Sequence, residues 1–297
     1  MNITILGAGA IGSLWACHLK EAGHNVSLWL RTPKISSHTL QLDDQTPLTF
    51  TTNDDTRLEQ SDVLLITVKA WQVKEALLPL LDKLHTDTIL VFMHNGMGAV
   101  EEVENELRHY PVVLATTTQA AMKPSLDKVN HTGAGQTQLG PFNAKGTQCQ
   151  FLAEVFNHTL PDVFWTSDIQ TALWQKLAIN CAINPLTALE QCRNGNLAEA
   201  RYSEPLRHII QEVSEVMAQE GIPVSFSELN SKVYKVITAT KDNYSSMQQD
   251  LCYQRPTEID FITGYLCRKA QEHKINVPAN QALYDEIKRI EHSWRTQ

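Results

Sequence analysis

The feature that most narrows what this chain can fold into is Gly7-Ala8-Gly9-Ala10-Ile11-Gly12. It follows a strand-like run, Ile3-Thr4-Ile5-Leu6. It opens a segment whose apolar residues Ile11, Leu14, Trp15 and Leu19 recur at helical spacing, with Gly23 placed to end it. G-x-G-x-x-G alone is a weak signal, but between a strand and a helix it has a physical reason. Gly7 permits the tight turn, Gly9 lets backbone approach a pyrophosphate, and Gly12 lets helix and strand pack closely. The helix start offers unpaired N–H groups and a positive dipole end to phosphate. Gly7, Ala8, Gly9, Ala10, Ile11 and Gly12 are therefore read as a cofactor-binding turn. A glycine-rich turn with no ligand is the plainer alternative, and the flanking strand and helix count against it.

Further strand-like runs cover 25–30, 62–68, 88–93 and 112–116, alternating with helical patterns. That alternation predicts parallel, right-handed βαβ units. The stretch 130–149 is rich in Gly, Gln and Thr and reads as late, irregular strands and turns, while helical patterns dominate beyond it. The expected fold is α/β: an N-terminal Rossmann-type parallel-sheet domain over 1–167, followed by a mostly α-helical domain over 168–297. At 297 residues, 42% hydrophobic and 20% charged, the chain has room for two cores. A formal net charge of -8 repels phosphate backbones, which argues against a nucleic-acid partner. The apolar runs are strand-sized, far short of the ~20 residues of a membrane span. No basic leader precedes the first strand. The six cysteines are scattered without a C-x-x-C pair and read as reduced thiols, with no metal site expected. A cytoplasmic protein without membrane partners is the expectation, with monomer and homodimer left open.

At the end of the second strand, where NAD enzymes commonly place a carboxylate for the ribose 2′-hydroxyl, the chain reads Leu30-Arg31-Thr32. A guanidinium there suits a 2′-phosphate, so Arg31 points to NADP(H); a solvated surface arginine is the alternative. Lys34 is read as solvated more readily than as a second contact. Lys69 and Asn95 follow the strands ending near 68 and 93, at the strand ends where open α/β sheets bind ligands. Lys69 is read toward phosphate or ribose, against an exposed loop lysine. Asn95, followed by Gly96 and Gly98, is read toward the nicotinamide end, against an ordinary Asn-Gly turn.

In the second half, Asp168 to Ala182 reads as a helix. Lys176, Asn180 and Asn184 stand at i, i+4 and i+8, an amine and two amides on one face among apolar neighbours. A substrate can partner them; a solvated stripe is the alternative. Pro185 is expected to disrupt the helix. Two more polar clusters follow, Asn243 to Asp250 and Arg255 to Asp260. The latter looks like a helix start with Glu258 in its first turn, where a glutamate also serves simple dipole compensation.

Together these blocks resemble the ketopantoate reductase (2-dehydropantoate 2-reductase) family: the glycine turn, Arg31, Lys69-Ala70-Trp71-Gln72-Val73, His94-Asn95-Gly96-Met97-Gly98, Lys176 through Ala188, Asn243 with Ser245-Ser246-Met247, and Glu258-Ile259-Asp260. The likeness runs over nearly the whole chain, and the Lys-Asn-Asn-Pro and Ser-Ser-Met blocks are far more specific than the glycines. The resemblance implies reduction of ketopantoate to (R)-pantoate with NADPH, in pantothenate and coenzyme A synthesis, the substrate held in an interdomain cleft. It implies that Lys176 is the general acid. It also implies that Asn95, Asn180, Asn184, Asn243 and Ser246 orient substrate, the serine at its carboxylate, and that Glu258 contacts the substrate hydroxyl and the cofactor ribose. A related NADP-dependent dehydrogenase of another small 2-keto acid, or a non-catalytic NADP(H) redox sensor, are the alternatives. The sensor has no need of Lys176, Glu258 and Ser246 together.

Overall fold

A computed structural model describes residues 1–32 and 36–294. The chain divides into two compact units. The first comprises residues 1–94 and 99–172, the second 95–98 and 173–297.

The first unit is built on β1 (Asn2–Leu6), β2 (Asn25–Trp29), β3 (Ser37–Leu42), β4 (Leu48–Thr52), β5 (Val63–Ile66), β6 (Ile89–Phe92), β7 (Val112–Thr117), β8 (Ala120–Met122), β9 (Lys128–Gly133), β10 (Thr137–Pro141) and β11 (Val163–Trp165). They lie in the order β11-β10-β7-β6-β5-β1-β2-β4-β3-β9-β8. From β7 to β4 every pairing is parallel. β5 and β6 are buried throughout, which is why they read as unbroken apolar runs rather than alternating ones. β1 sits between β2 and β5, with Leu6 in register with both Trp29 and Ile66. Chain order reverses there, so β1 ends at the switch point of the sheet.

The sheet is wider and less uniform than the parallel reading predicts. β10 runs antiparallel to β7, β3 to β4, and β8 to β9. These added strands are short and half-buried, so their apolar alternation is faint in sequence. Helices α1 (Ala10–Glu21), α2 (Asp55–Glu59), α3 (Val73–Leu81), α4 (Glu104–Leu107) and α5 (Leu152–Thr159) complete the unit. Trp15 of α1 meets Phe156 of α5 in a core shared with Ile3, Ile5 and Val91.

The second unit is helical: α6 (Ile169–Glu190, its first four residues in the first unit), α7 (Ser203–Gln219), α8 (Phe226–Ala239), α9 (Ser246–Cys252), α10 (Thr263–Glu272) and α11 (Pro278–Ser293). Asp168 starts α6 by accepting from the Thr171 N–H at 3.2 Å. The expectation that Pro185 breaks this helix is corrected: α6 runs 22 residues, straight past it. An interior proline costs about 3 kcal/mol. Leu177, Ile183 and Leu186 around it are all at most 8% exposed, and three large aliphatics so buried return roughly 1.5–3 kcal/mol each, enough to hold the helix together. The Thr187 hydroxyl donates to the Ile183 and Asn184 carbonyls at this turn. Glu258 is likewise corrected. It precedes a 3-10 turn, Ile259–Phe261, and the α-helix begins only at Thr263. None of the described helices is long and apolar enough to cross a membrane.

Candidate active site

The glycine turn leaves β1 at the switch point. Gly7 has φ +98°, and a Cβ there would lie 2.6 Å from Val68 Cγ1, so both conformation and space require glycine. Its N–H donates to the Trp29 carbonyl at 3.0 Å, fastening the turn to the end of β2. A Cβ on Gly12 would collide with the Gly7 carbonyl and the Thr67 hydroxyl; that hydroxyl already donates to Gly7 O at 2.8 Å. Gly9 is the opposite case: exposed, with nothing within 4 Å of where a Cβ would stand. It caps α1 without a side-chain hydrogen bond, and no acidic residue follows in the first turn. By contrast, α2, α8 and α9 are capped by the side chains of Asp54, Ser225 and Ser245. The first turn of α1, with Ala10 and Ile11, thus keeps its donors and its positive dipole end for an anion. These residues fit a dinucleotide pyrophosphate.

Arg31 lies exposed just past β2. Asn53 grips the chain on both sides of it, accepting from Leu30 N–H at 2.7 Å and donating to Thr32 O at 2.8 Å. Asn53 itself sits at φ +52°, a conformation asparagine tolerates better than most residues. Lys69 is half-buried beyond the end of β5, directly before the 3-10 turn Ala70–Gln72, and its backbone N–H donates to Gln72 Oε1 at 3.2 Å. The turn, Arg31 and Lys69 therefore share the carboxyl edge of β1, β2 and β5. Lys34 falls outside the described residues.

A second cluster belongs to the second unit. The segment Asn95–Gly98 joins that unit by latching onto the chain after Glu258: Met97 N–H donates to Phe261 O at 2.8 Å. Gly96 has φ +80°, and a Cβ there would stand 2.5 Å from the Phe261 carbonyl oxygen. This close approach brings Asn95 Nδ2 to Glu258 Oε2 at 3.3 Å. Glu258 is 6% exposed and interacts with the half-buried Lys176 of α6. Burial pulls the Lys176 ammonium down to about 8, the Glu258 carboxylate opposing that shift. Asn95, Lys176 and Glu258, far apart in sequence, thus share one neighbourhood.

The segment carrying Glu258 is braced from α11. Asp260 accepts from Tyr284 Oη and Lys288 Nζ, both at 2.7 Å, and Thr257 N–H donates to Glu291 Oε1 at 2.8 Å. Burial and Asp260 push the Tyr284 phenol up to about 12, so it stays a donor at any working pH. None of these braces stands out in the sequence, because each joins residues whose spacing has no local meaning.

Asn180 is half-buried and Asn184 buried, one and two turns along α6 from Lys176. Asn243 and Ser246 are exposed. Their loop is tied to α6 through the neighbouring Ser245, whose buried Oγ meets Thr187 Oγ1 at 2.8 Å while also capping α9. Of the serine pair it is therefore Ser245 that holds the structure, leaving Ser246 open. Among the described residues no group of three or more His, Cys, Asp or Glu is placed to hold a metal ion.

The profile described as "Ketopantoate reductase PanE/ApbA" matches residues 3–144, and that of its C-terminal domain matches 168–291. The chain belongs to the ketopantoate reductase family. The 2-dehydropantoate 2-reductase of Vibrio cholerae serotype O1 is 55% identical over 294 residues, 99% of each chain. The crystal structure of a PanE/ApbA family ketopantoate reductase from Ralstonia eutropha JMP134 superposes with a TM-score of 0.88 at 25% identity, covering 99% of this chain and 100% of that one. A D-mandelate dehydrogenase solved with NADH and anilino(oxo)acetate shares the fold, with a TM-score of 0.88 at 23% identity over 99% of each chain. Ketopantoate reductase membership makes this chain an oxidoreductase of NAD(P)-binding type.

Proposed function

We propose that this ketopantoate reductase family member reduces 2-dehydropantoate to (R)-pantoate with NADPH. The observation that carries the reading is the gathering of Glu258 and Asn95 in the neighbourhood of Lys176, whose ammonium burial pulls down to about 8. A pyrophosphate-binding module alone has no use for such a group.

Residues 1–167 are assigned the cofactor. Gly7 to Gly12 take the pyrophosphate, Arg31 the 2′-phosphate, Lys69 phosphate or ribose, and Asn95 the nicotinamide end. Residues 168–297 are assigned the substrate. When bound, NADPH supplies a hydride to the C2 ketone. As negative charge builds on the ketone oxygen, Lys176 donates a hydrogen bond and then its proton there, so carbonyl, hydride and proton together become the hydroxy acid. The lowered ammonium makes the transfer easier than from an ordinary lysine near 10.4. Asn180 and Asn184, on the same helix, offer amide donors to the substrate, Asn95 and Asn243 help to orient it, Ser246 takes its carboxylate, and Glu258 holds both a substrate hydroxyl and the cofactor ribose. The net charge of -8 argues against a nucleic-acid partner, so a small anionic substrate has to be held by local cationic and amide donors. The assignment extends to a cytoplasmic enzyme working as a monomer or homodimer.

Initial rates of NADPH and NADH oxidation with ketopantoate, pyruvate and 2-ketoisovalerate test this. Fast, NADPH-preferring turnover of ketopantoate is the expected result. Ketopantoate turned over no better than the other keto acids would move the assignment to a related dehydrogenase, and NADPH binding without any turnover to a sensor.

A further inference from the structure

Midway along the glycine turn, the Ala8 carbonyl receives two side-chain donors: Lys123 Nζ at 3.0 Å and Ser13 Oγ at 3.1 Å. Lys123 directly follows β8, and β8 and β9 pack on α1, which carries this ammonium back to a turn 115 residues earlier. It is half-buried, and burial holds it below the usual lysine range, with the Cys17 thiol and the Asp127 carboxylate acting the other way. A lysine that only solubilised β8 would extend into water.

The Ala8–Gly9 peptide gives this contact a consequence. A trans peptide is planar, so its C=O and N–H point to opposite sides. Two donors on the Ala8 oxygen fix which side that oxygen faces, and so aim the Gly9 N–H the other way. Gly9 is exposed, and among the described residues its N–H takes no partner. A flip of this peptide would put a carbonyl oxygen where an anion binds.

We propose that Lys123, with Ser13, is a positioning residue for dinucleotide binding: it locks the Ala8–Gly9 peptide so that the Gly9 N–H faces the pyrophosphate. The proposal rests on the reading of the turn as the NADP(H) site. It differs from the role given to Arg31, because a pyrophosphate is common to NADPH and NADH and a 2′-phosphate is not.

The test measures dissociation constants of NADPH and NADH, KM and kcat, and thermal unfolding for wild type, Lys123→Met, Lys123→Arg, Ser13→Ala and the Lys123→Met/Ser13→Ala double variant. Lys123→Met is expected to weaken both cofactors by the same factor, about tenfold, the scale of one charge-assisted hydrogen bond. KM for NADPH should rise with kcat at saturation retained, and Lys123→Arg should restore most of the affinity. Only the double variant leaves Ala8 O with neither donor, so its loss should exceed the product of the two single losses. Single losses that simply multiply, weakening confined to NADPH, or a lowered melting temperature with unchanged affinity would each overturn the proposal. Wild type that binds neither cofactor would overturn the dinucleotide reading itself, and this proposal with it.

Discussion

Lys176 gives the proposed chemistry a pH signature. With its ammonium at about 8, the protonated fraction is about 0.9 at pH 7 and about 0.1 at pH 9, whereas an ordinary lysine at 10.5 would still be about 0.97 protonated at pH 9. If this ammonium is the acid, kcat/KM for ketopantoate should fall about tenfold between pH 7 and pH 9, along one alkaline limb centred near 8. Substrate carboxylate stays ionised over that range and contributes no limb. The assay is kcat/KM at saturating NADPH from pH 6.5 to 10. Two variants identify the group. Glu258→Gln removes the carboxylate that holds the ammonium up, so the limb should move to lower pH. Lys176→Arg places a cation that stays protonated throughout, so whatever activity survives should lack the limb. A wild-type profile flat to pH 10, or a limb that persists in Lys176→Arg, would refute the reasoning.

Three more expectations follow from the geometry. Arg31→Ala should weaken NADPH by roughly tenfold or more while leaving NADH within about threefold, as read by fluorescence titration; equal weakening would remove Arg31 from the 2′-phosphate. Gly96→Ala forces a side chain into φ +80° and against Phe261 O, so it should destabilise the fold by on the order of 2 kcal/mol in urea and slow turnover by displacing Asn95 from Glu258; a wild-type unfolding midpoint would contradict this. Glu212 accepts from the Ala279 and Asn280 N–H groups and from Asn280 Nδ2 at the start of α11, so Glu212→Ala should cost about 2–4 kcal/mol by denaturant titration, and a change under about 0.5 kcal/mol would show that the contact is not needed.

The legible parts of the molecule are those governed by local rules. β1, the glycine turn and α1 follow one another within a few residues, each with its own signal, and the buried strands β5, β6 and β7 stand out as short apolar runs. Lys176, Asn180 and Asn184 fall on one helix face by spacing alone. Illegible parts depend on partners distant in the chain. Nothing near Lys123 marks it for Ala8, nothing near Asp260 marks it for Tyr284 and Lys288, and Asn53 is an unremarkable turn residue until it is seen holding Leu30 and Thr32 around Arg31. Pro185 shows a local rule outweighed by tertiary burial. That Asn95–Gly98 belongs to the second unit follows from the Gly96 approach to Phe261, which neither segment shows by itself. Family likeness supplied the roles of Asn243 and Ser246, whose exposed positions carry no physical signal of their own.

The most direct test of the central claim compares wild type with Lys176→Ala in single-turnover and steady-state reduction of ketopantoate, with NADPH affinity measured alongside. Wild type is expected to turn over ketopantoate with NADPH, and Lys176→Ala to lose roughly 10²–10⁴-fold in kcat while binding NADPH as tightly as before. A loss of about tenfold or less, with the cofactor still bound, would contradict the account.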